Sequence, residues 1–137
     1  MDVIGLFSEL EPGHPHLRSI RDFVGQLTEA DQQLVLKYLD DNAGMVMCWM
    51  GLTRDPLSPE GRRVYGPSVC SDGRWIWRED LRYFVGQYRI GLPEAFLEHV
   101  RSAGGVFSTP DEELRVKFDQ IMATYERAER HGEALGY

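Results

Sequence analysis

The stretch SDGRWIWREDLRYF, residues 71–84, carries the strongest local structural signals in the chain. Asp72-Gly73 lies between two β-prone runs, and this dipeptide favours a two-residue type I′ hairpin turn because both central residues need a positive φ. Such a turn would place Ser71 opposite Arg74. The two faces of the hairpin would then carry different side chains: Cys70, Trp75 and Trp77 on one, and Val69 and Ile76 on the other.

The apolar pattern changes from strand-like to helix-like directly after the hairpin. Glu79 and Asp80 come first, where acidic side chains complement the dipole of a helix N-terminus. An apolar stripe at helical spacing follows, formed by Leu81, Phe84, Val85 and Tyr88. Because aromatic side chains on a half-buried sheet are usually core residues, we expect Trp75 and Trp77 to fill the core.

Two helices are predicted before the hairpin. Residues 16–27 place apolar side chains at helical spacing, although Gly25 weakens that helix. Thr28 then has the character of an N-cap for a second helix with its own apolar stripe. Asn42 and Gly44 are typical residues for the end of that helix.

Two strands are predicted between these helices and the hairpin turn. GMVMCWMGL, residues 44–52, is apolar on both alternations, which favours a strand covered on both faces. RRVYGPSVCS, residues 62–71, is the second strand. Pro67 within it cannot donate to a ladder, so we expect it at an edge, at a bulge or at the start of the strand.

Two further helices are predicted after the helix that follows the hairpin. Pro93 suits the first position of one of them. The TPDE sequence, Thr109 to Glu112, is a capping box that starts a long last helix ending near Gly132. The grouping of helices, then strands, then helices predicts an α+β fold. We expect one domain over residues 1–137, with helices packed on a roughly three-stranded antiparallel sheet.

Charge and composition narrow the function classes. The net charge is −7, from 22 acidic and 15 basic side chains, which argues against general nucleic-acid binding. The first residues are too acidic for a secretory signal, and no apolar run is long enough to span a bilayer, so we expect a cytoplasmic protein without membrane contact. Both cysteines should be free thiols, with Cys48 a buried structural thiol beside Met47 and Trp49.

Few residues are candidates for chemistry. His14 and His16 are weak evidence for a metal site because no zinc-ligand spacing surrounds them. Glu79 and Asp80 are adjacent on a helix and therefore cannot face each other as an acid/base pair. No nucleophile elbow, phosphate loop or dinucleotide fingerprint occurs. The sequence therefore predicts neither catalytic residues nor a metal or cofactor.

Residues 71–100 also resemble a pattern found in immunity proteins of bacterial polymorphic-toxin systems. The shared features are the Ser-Asp-Gly turn, two alternating aromatic residues, an Asp-Leu helix entry with a Tyr-rich stripe, and a Leu-Pro followed by Phe. The resemblance implies a non-enzymatic protein that binds and neutralises a cognate toxin. An acidic chain would attract a basic toxin. The predicted partner-binding residues are Arg54, Asp55, Asp72, Arg74, Trp75, Glu79 and Asp80.

Two alternatives stay open. One is a small enzyme or small-molecule binder with a site between sheet and helices, for which the visible candidates are His99, Cys70, Glu79 and Tyr83. The other is a homodimer formed through an uncovered sheet face. Trp49, Trp75 or Trp77 would anchor a partner if the helices left one face of the sheet open.

Overall fold

The computed structural model describes residues 1–40 and 43–137. The fold is α+β, as predicted. Asn42, predicted near the end of a helix, lies outside the described residues. The strands are β1 (Asp2–Val3), β2 (Met45–Met47), β3 (Leu52–Arg54), β4 (Arg63–Tyr65), β5 (Val69–Ser71) and β6 (Trp75–Arg78). The α-helices are α1 (Glu29–Tyr38), α2 (Leu81–Tyr88), α3 (Glu94–Ser102), α4 (Asp111–Val116) and α5 (Phe118–His131).

The strands form two sheets instead of the single antiparallel sheet predicted. The larger has the order β1-β6-β5-β2, and β1 runs parallel to β6, which makes this sheet mixed. The smaller sheet pairs β3 with β4. The C-terminal segment lies against β1, because the Val3 N–H donates to the Ala134 carbonyl and the Gly136 N–H donates to the Val3 carbonyl.

Helices cover both faces of the larger sheet. The face carrying Cys70, Trp75 and Trp77 packs against α1, α2 and α3, and the face carrying Val69 and Ile76 packs against α4 and α5. Trp75 and Trp77 are only 4% and 2% exposed, which confirms that both are core residues. At β5 and β6 the side chains of both faces are buried among the described residues, whereas Met45 on the edge strand β2 is 40% exposed.

The hairpin forms with the predicted faces but a different register. Ser71 pairs with Ile76 and Cys70 with Trp77, so the two residues at the tip are Gly73 and Arg74. The Asp72 carboxylate stabilises this register, because its Oδ1 accepts the N–H groups of Arg74 at 2.8 Å and Trp75 at 2.7 Å. Gly73 alone of the four residues from 72 to 75 adopts a positive φ, of 91°.

Two of the predicted helices have different bounds, and one predicted cap is absent. Residues 16–27 contain only a short 3-10 helix, Ile20–Phe23, and Gly25 leaves the helical region with φ 74°. The capping box at Thr109 does not form, because its hydroxyl donates to the Asp72 carbonyl instead. The long last helix is divided into α4 and α5 at Lys117.

The two predicted strands are each divided as well. The chain leaves β2 at Met47 and runs through an exposed connection, residues 48–51, into β3. Gly66 and Pro67 separate β4 from β5. A side chain at Gly66 would collide with Thr53 on β3, so the close approach of this segment to β3 requires glycine at position 66. Among the described residues, no helix has the length and apolar character to cross a bilayer.

Candidate binding surface

The small sheet has one face that no other part of the described chain covers. Leu52 pairs directly with Tyr65, and Arg54 pairs directly with Arg63. Because opposite and alternate residues of a strand pair share a face, these four side chains project together. Leu52 is 57% exposed and Tyr65 is 76% exposed, and both arginines are exposed.

The connection before β3 extends this surface. Trp49 is 56% exposed and Met50 is 99% exposed. A shallow cleft of about 570 Å³ runs along these residues to Leu52 and Tyr65. We call the combined surface the hairpin face, and define it by Trp49, Met50, Leu52, Arg54, Arg63 and Tyr65.

Hydrogen bonds to the interior fix the position of the hairpin face. The Trp49 N–H donates to the hydroxyl of buried Ser68 at 3.0 Å. The carboxylate of Asp55, which is fully buried, accepts from the hydroxyls of Tyr83 at 2.7 Å and Tyr88 at 2.6 Å on α2. Burial and the hydrogen bond to Asp55 raise the pKa of both tyrosines. Buried hydrogen bonds therefore hold the backbone that carries the exposed side chains.

A buried arginine joins the two sheets behind the hairpin face. The Arg78 guanidinium contacts both oxygens of Asp80, at 3.2 and 2.8 Å, and Glu11 Oε1 at 2.6 Å. It also donates to Thr53 Oγ1 of β3 at 3.1 Å. Burial raises the pKa of Asp80 to about 6, and the attraction of Arg78 opposes that rise.

A second cleft, of about 620 Å³, lies between β3, residues 9–11 and α5. Glu11 lines it and accepts from the Tyr125 hydroxyl at 3.0 Å. Burial and the nearby charge of Glu11 raise the pKa of Glu129, also in the cleft, to about 6. His14 completes a group whose possible ligand atoms lie within 4.8 Å of one another. No local sequence pattern predicts two carboxylates beside this histidine, because Glu129 is distant from it in the chain.

Another polar cluster holds the turn between β5 and β6 against α1 and α3. The Tyr38 hydroxyl donates to Asp72 Oδ2 at 2.6 Å, and His99 Nε2 lies 2.9 Å from the same oxygen. Burial and then Asp72 raise the pKa of Tyr38. Asp72 is only 6% exposed, so this cluster joins α1, the β5–β6 turn and α3 through a buried carboxylate.

The predicted partner-binding residues separate into two groups. Arg54 and Arg74 are exposed and Glu79 is half-buried, so a partner role for them stays a prediction. The other four side chains are buried and make their contacts inside the protein: Asp55, Asp72, Trp75 and Asp80. Asp55 and Asp72 accept hydrogen bonds from tyrosine hydroxyls distant in sequence, and Asp80 accepts from Arg78, two residues before it.

The residues considered for an enzyme do not converge on one cleft. Glu79 and Tyr83 line a cleft of about 640 Å³ beside α2. His99 contacts Asp72 at the opposite end of the hairpin, and Cys70 is buried in the sheet. Of the exposed apolar residues, Trp49 was named as a possible anchor for a partner. Met50, Leu52 and Tyr65 were missed, because a run of apolar residues has the same appearance in sequence whether it is covered or not.

The two cysteines differ in accessibility, and Cys48 is exposed, contrary to the prediction of a buried thiol. Cys70 is buried, and burial raises its pKa to about 12. We expect a thiol reagent such as dithiobis-nitrobenzoate to modify one thiol in the folded protein at mildly alkaline pH, and both after denaturation. A Cys48→Ser variant is expected to react only when denatured. Two rapidly reacting thiols in the folded protein would contradict the burial of Cys70.

Comparison of the chain with protein-family models, with curated proteins and with solved structures finds no match. The resemblance of residues 71–100 to immunity proteins therefore stays a prediction from the sequence. What bears on function is the surface of this chain. Its leading feature is the hairpin face, where apolar and cationic side chains are exposed together.

Proposed function

We propose that this chain is a non-enzymatic binding protein of the immunity type, which neutralises a bacterial toxin domain by binding it through the hairpin face. The observation that carries the proposal is the exposure of Trp49, Met50, Leu52 and Tyr65 beside one another. Large apolar side chains that are exposed next to one another on an otherwise polar surface mark interaction sites. Aromatic residues also contribute strongly to binding hot spots.

The proposal is tested by co-expressing the chain with the protein encoded by the neighbouring gene. We expect the chain to protect cells from that protein and to co-purify with it. The Trp49→Ala variant is expected to lose about thirtyfold or more in affinity, because removal of a central aromatic anchor costs about 2 kcal/mol or more. Affinity is measured by titration calorimetry with the purified pair.

The matched control is Val116→Ser on α4. Val116 is 77% exposed and is not part of the hairpin face, so its replacement removes exposed apolar area elsewhere. We expect the Val116→Ser variant to bind as the parent does. Unchanged binding of the Trp49→Ala variant, or no protection against the neighbouring gene product, would contradict the proposal.

Small-molecule binding is a second candidate function, favoured by the cleft between β3 and α5. Its volume of about 620 Å³ falls within the range of ligand pockets, and it brings together Arg78, Tyr125, Glu11 and Glu129. Thermal-shift screening with small amines and small anions tests this candidate. A shift that disappears in a Glu129→Gln variant would favour it over protein binding.

A further inference from the structure

The hairpin face carries two like charges in directly opposed positions. Arg54 and Arg63 lie directly opposite each other across β3 and β4, and both are exposed. Like charges in directly opposed positions destabilise a strand pair. No ion pair joins either guanidinium to a carboxylate among residues 1–40 and 43–137. The fold therefore holds an uncompensated cationic pair in a chain whose net charge is −7.

A third arginine lies beside the cationic pair and makes this area locally basic. Arg62 is exposed beside Arg63, and its guanidinium lies 5.6 Å from the centre of the Tyr83 ring. Half-buried Glu79 is an acidic neighbour, lining the clefts on both sides of Tyr65. At physiological ionic strength charges are screened over about 8 Å, so the local arginines act on a docked group more strongly than the distant acidic residues do.

We infer that the hairpin face binds an acidic segment of a protein partner, in which carboxylates flank an apolar side chain. The carboxylates pair with Arg54 and Arg63 and relieve their repulsion. The apolar side chain packs on Trp49, Met50 and the Leu52–Tyr65 pair. This inference rests on the proposed function and specifies its partner: the toxin has an acidic contact segment, although the overall charge of this chain favours a basic partner.

A protein segment fits this surface better than a nucleic acid does. The net charge of −7 opposes the approach of a polyanion, whose binding depends on many phosphate contacts. Met50 and Leu52 offer aliphatic surface, which packs on apolar side chains. Guanidinium groups bind carboxylates through paired hydrogen bonds, so two arginines suffice to orient a short acidic segment.

The inference is tested first with a probe that needs no natural partner. The probe is a short fluorescein-labelled peptide in which Asp and Glu alternate with Leu and Phe, and its binding to the full chain is measured by fluorescence anisotropy. We expect Arg54→Glu and Arg63→Glu each to lower the affinity about tenfold or more. Arg115→Glu is the control, since Arg115 is exposed on α4 and the charge change is the same.

Two comparison probes make the result decisive. A peptide with Lys in place of Asp and Glu is expected to bind at least tenfold more weakly than the acidic peptide. A short oligothymidylate is expected to bind more weakly than the acidic peptide as well. The inference is overturned if either comparison probe binds more tightly, or if Arg115→Glu weakens binding of the acidic peptide as much as Arg63→Glu does.

The isolated protein provides an independent measurement. Arg63→Glu replaces a repulsive cross-strand pair with an attractive one, so we expect the melting temperature to rise by about 1–4 °C while peptide binding weakens. A fall in the melting temperature would overturn the premise that the arginine pair is repulsive.

The co-expression assay separates this inference from the proposed function. Undiminished protection by Arg54→Glu together with loss of protection by Trp49→Ala would overturn the acidic partner and leave the proposed function intact. Binding of the acidic peptide without protection against the neighbouring gene product would overturn the proposed function and leave the acidic preference of the hairpin face intact.

Discussion

Replacement of Arg78 with methionine is expected to lower the free energy of unfolding by about 3–5 kcal/mol. Arg78 is 3% exposed, and its loss leaves Asp80, which is 1% exposed, as a buried carboxylate without a counter-charge. The hydrogen bonds to Glu11, Thr53 and the Leu10 carbonyl are lost with it. Methionine fills much of the volume of the arginine stem, so the effect reports the charge network more than a cavity.

Urea denaturation followed by tryptophan fluorescence measures this effect, and Arg101→Met is the matched control. Arg101 also contacts two carboxylates, those of Asp31 and Glu94, but its side chain is 40% exposed. We expect the control to lose at most about 1 kcal/mol, because exposed ion pairs contribute little. Equal losses in the two variants would show that burial does not determine the cost.

A double variant separates the pair from its environment. Because Arg78→Met and Asp80→Asn together remove both charges, the double variant is expected to lose less stability than the Arg78→Met variant alone.

Arg78 also anchors β3 through Thr53, so loosening of the hairpin face is expected in the Arg78→Met variant. The rate at which the exposed Cys48 thiol reacts with a thiol reagent is expected to stay the same in this variant, so it serves as an internal reference.

Periodicity predicted most of the core but not the pairing of the strands. The side chains of Cys70 and Trp75 share the predicted face although the register differs, because a shift of two residues preserves the alternation of a strand. The apolar stripe of α2 was predicted for the same local reason. β1 has only two residues, and its partners are β6 and the C-terminal segment, so no local pattern indicates it.

The candidate site was predicted less well because burial of a charged residue depends on distant partners. Charged residues are usually exposed, and the sequence does not show that Tyr83 and Tyr88 satisfy Asp55 or that Arg78 satisfies Asp80. Trp49 is the reverse case, an apolar residue that is exposed. The sequence marks it as apolar, and only the arrangement of the two sheets leaves it uncovered.

Asp72 is the residue whose side chain does most to shape the hairpin turn, and Asp72→Ala is expected to lower the free energy of unfolding by about 3–5 kcal/mol. The substitution removes the acceptor for two backbone N–H groups and for the Tyr38 hydroxyl. Each buried donor left without a partner costs about 1–3 kcal/mol. Asp72→Asn retains one acceptor oxygen of the same shape, so we expect it to lose clearly less.

Urea denaturation of the two variants, with His99→Ala for comparison, assigns the contribution of each contact of Asp72. His99 is partly exposed, with 29% of its side chain accessible, so we expect His99→Ala to cost less than Asp72→Ala. If Asp72→Asn were as unstable as Asp72→Ala, the charge of the carboxylate would matter more than its role as an acceptor in the turn. If neither variant lost stability, the Asp-Gly sequence would hold its register through Gly73 alone, and the carboxylate would not be the reason that the turn departs from type I′ pairing.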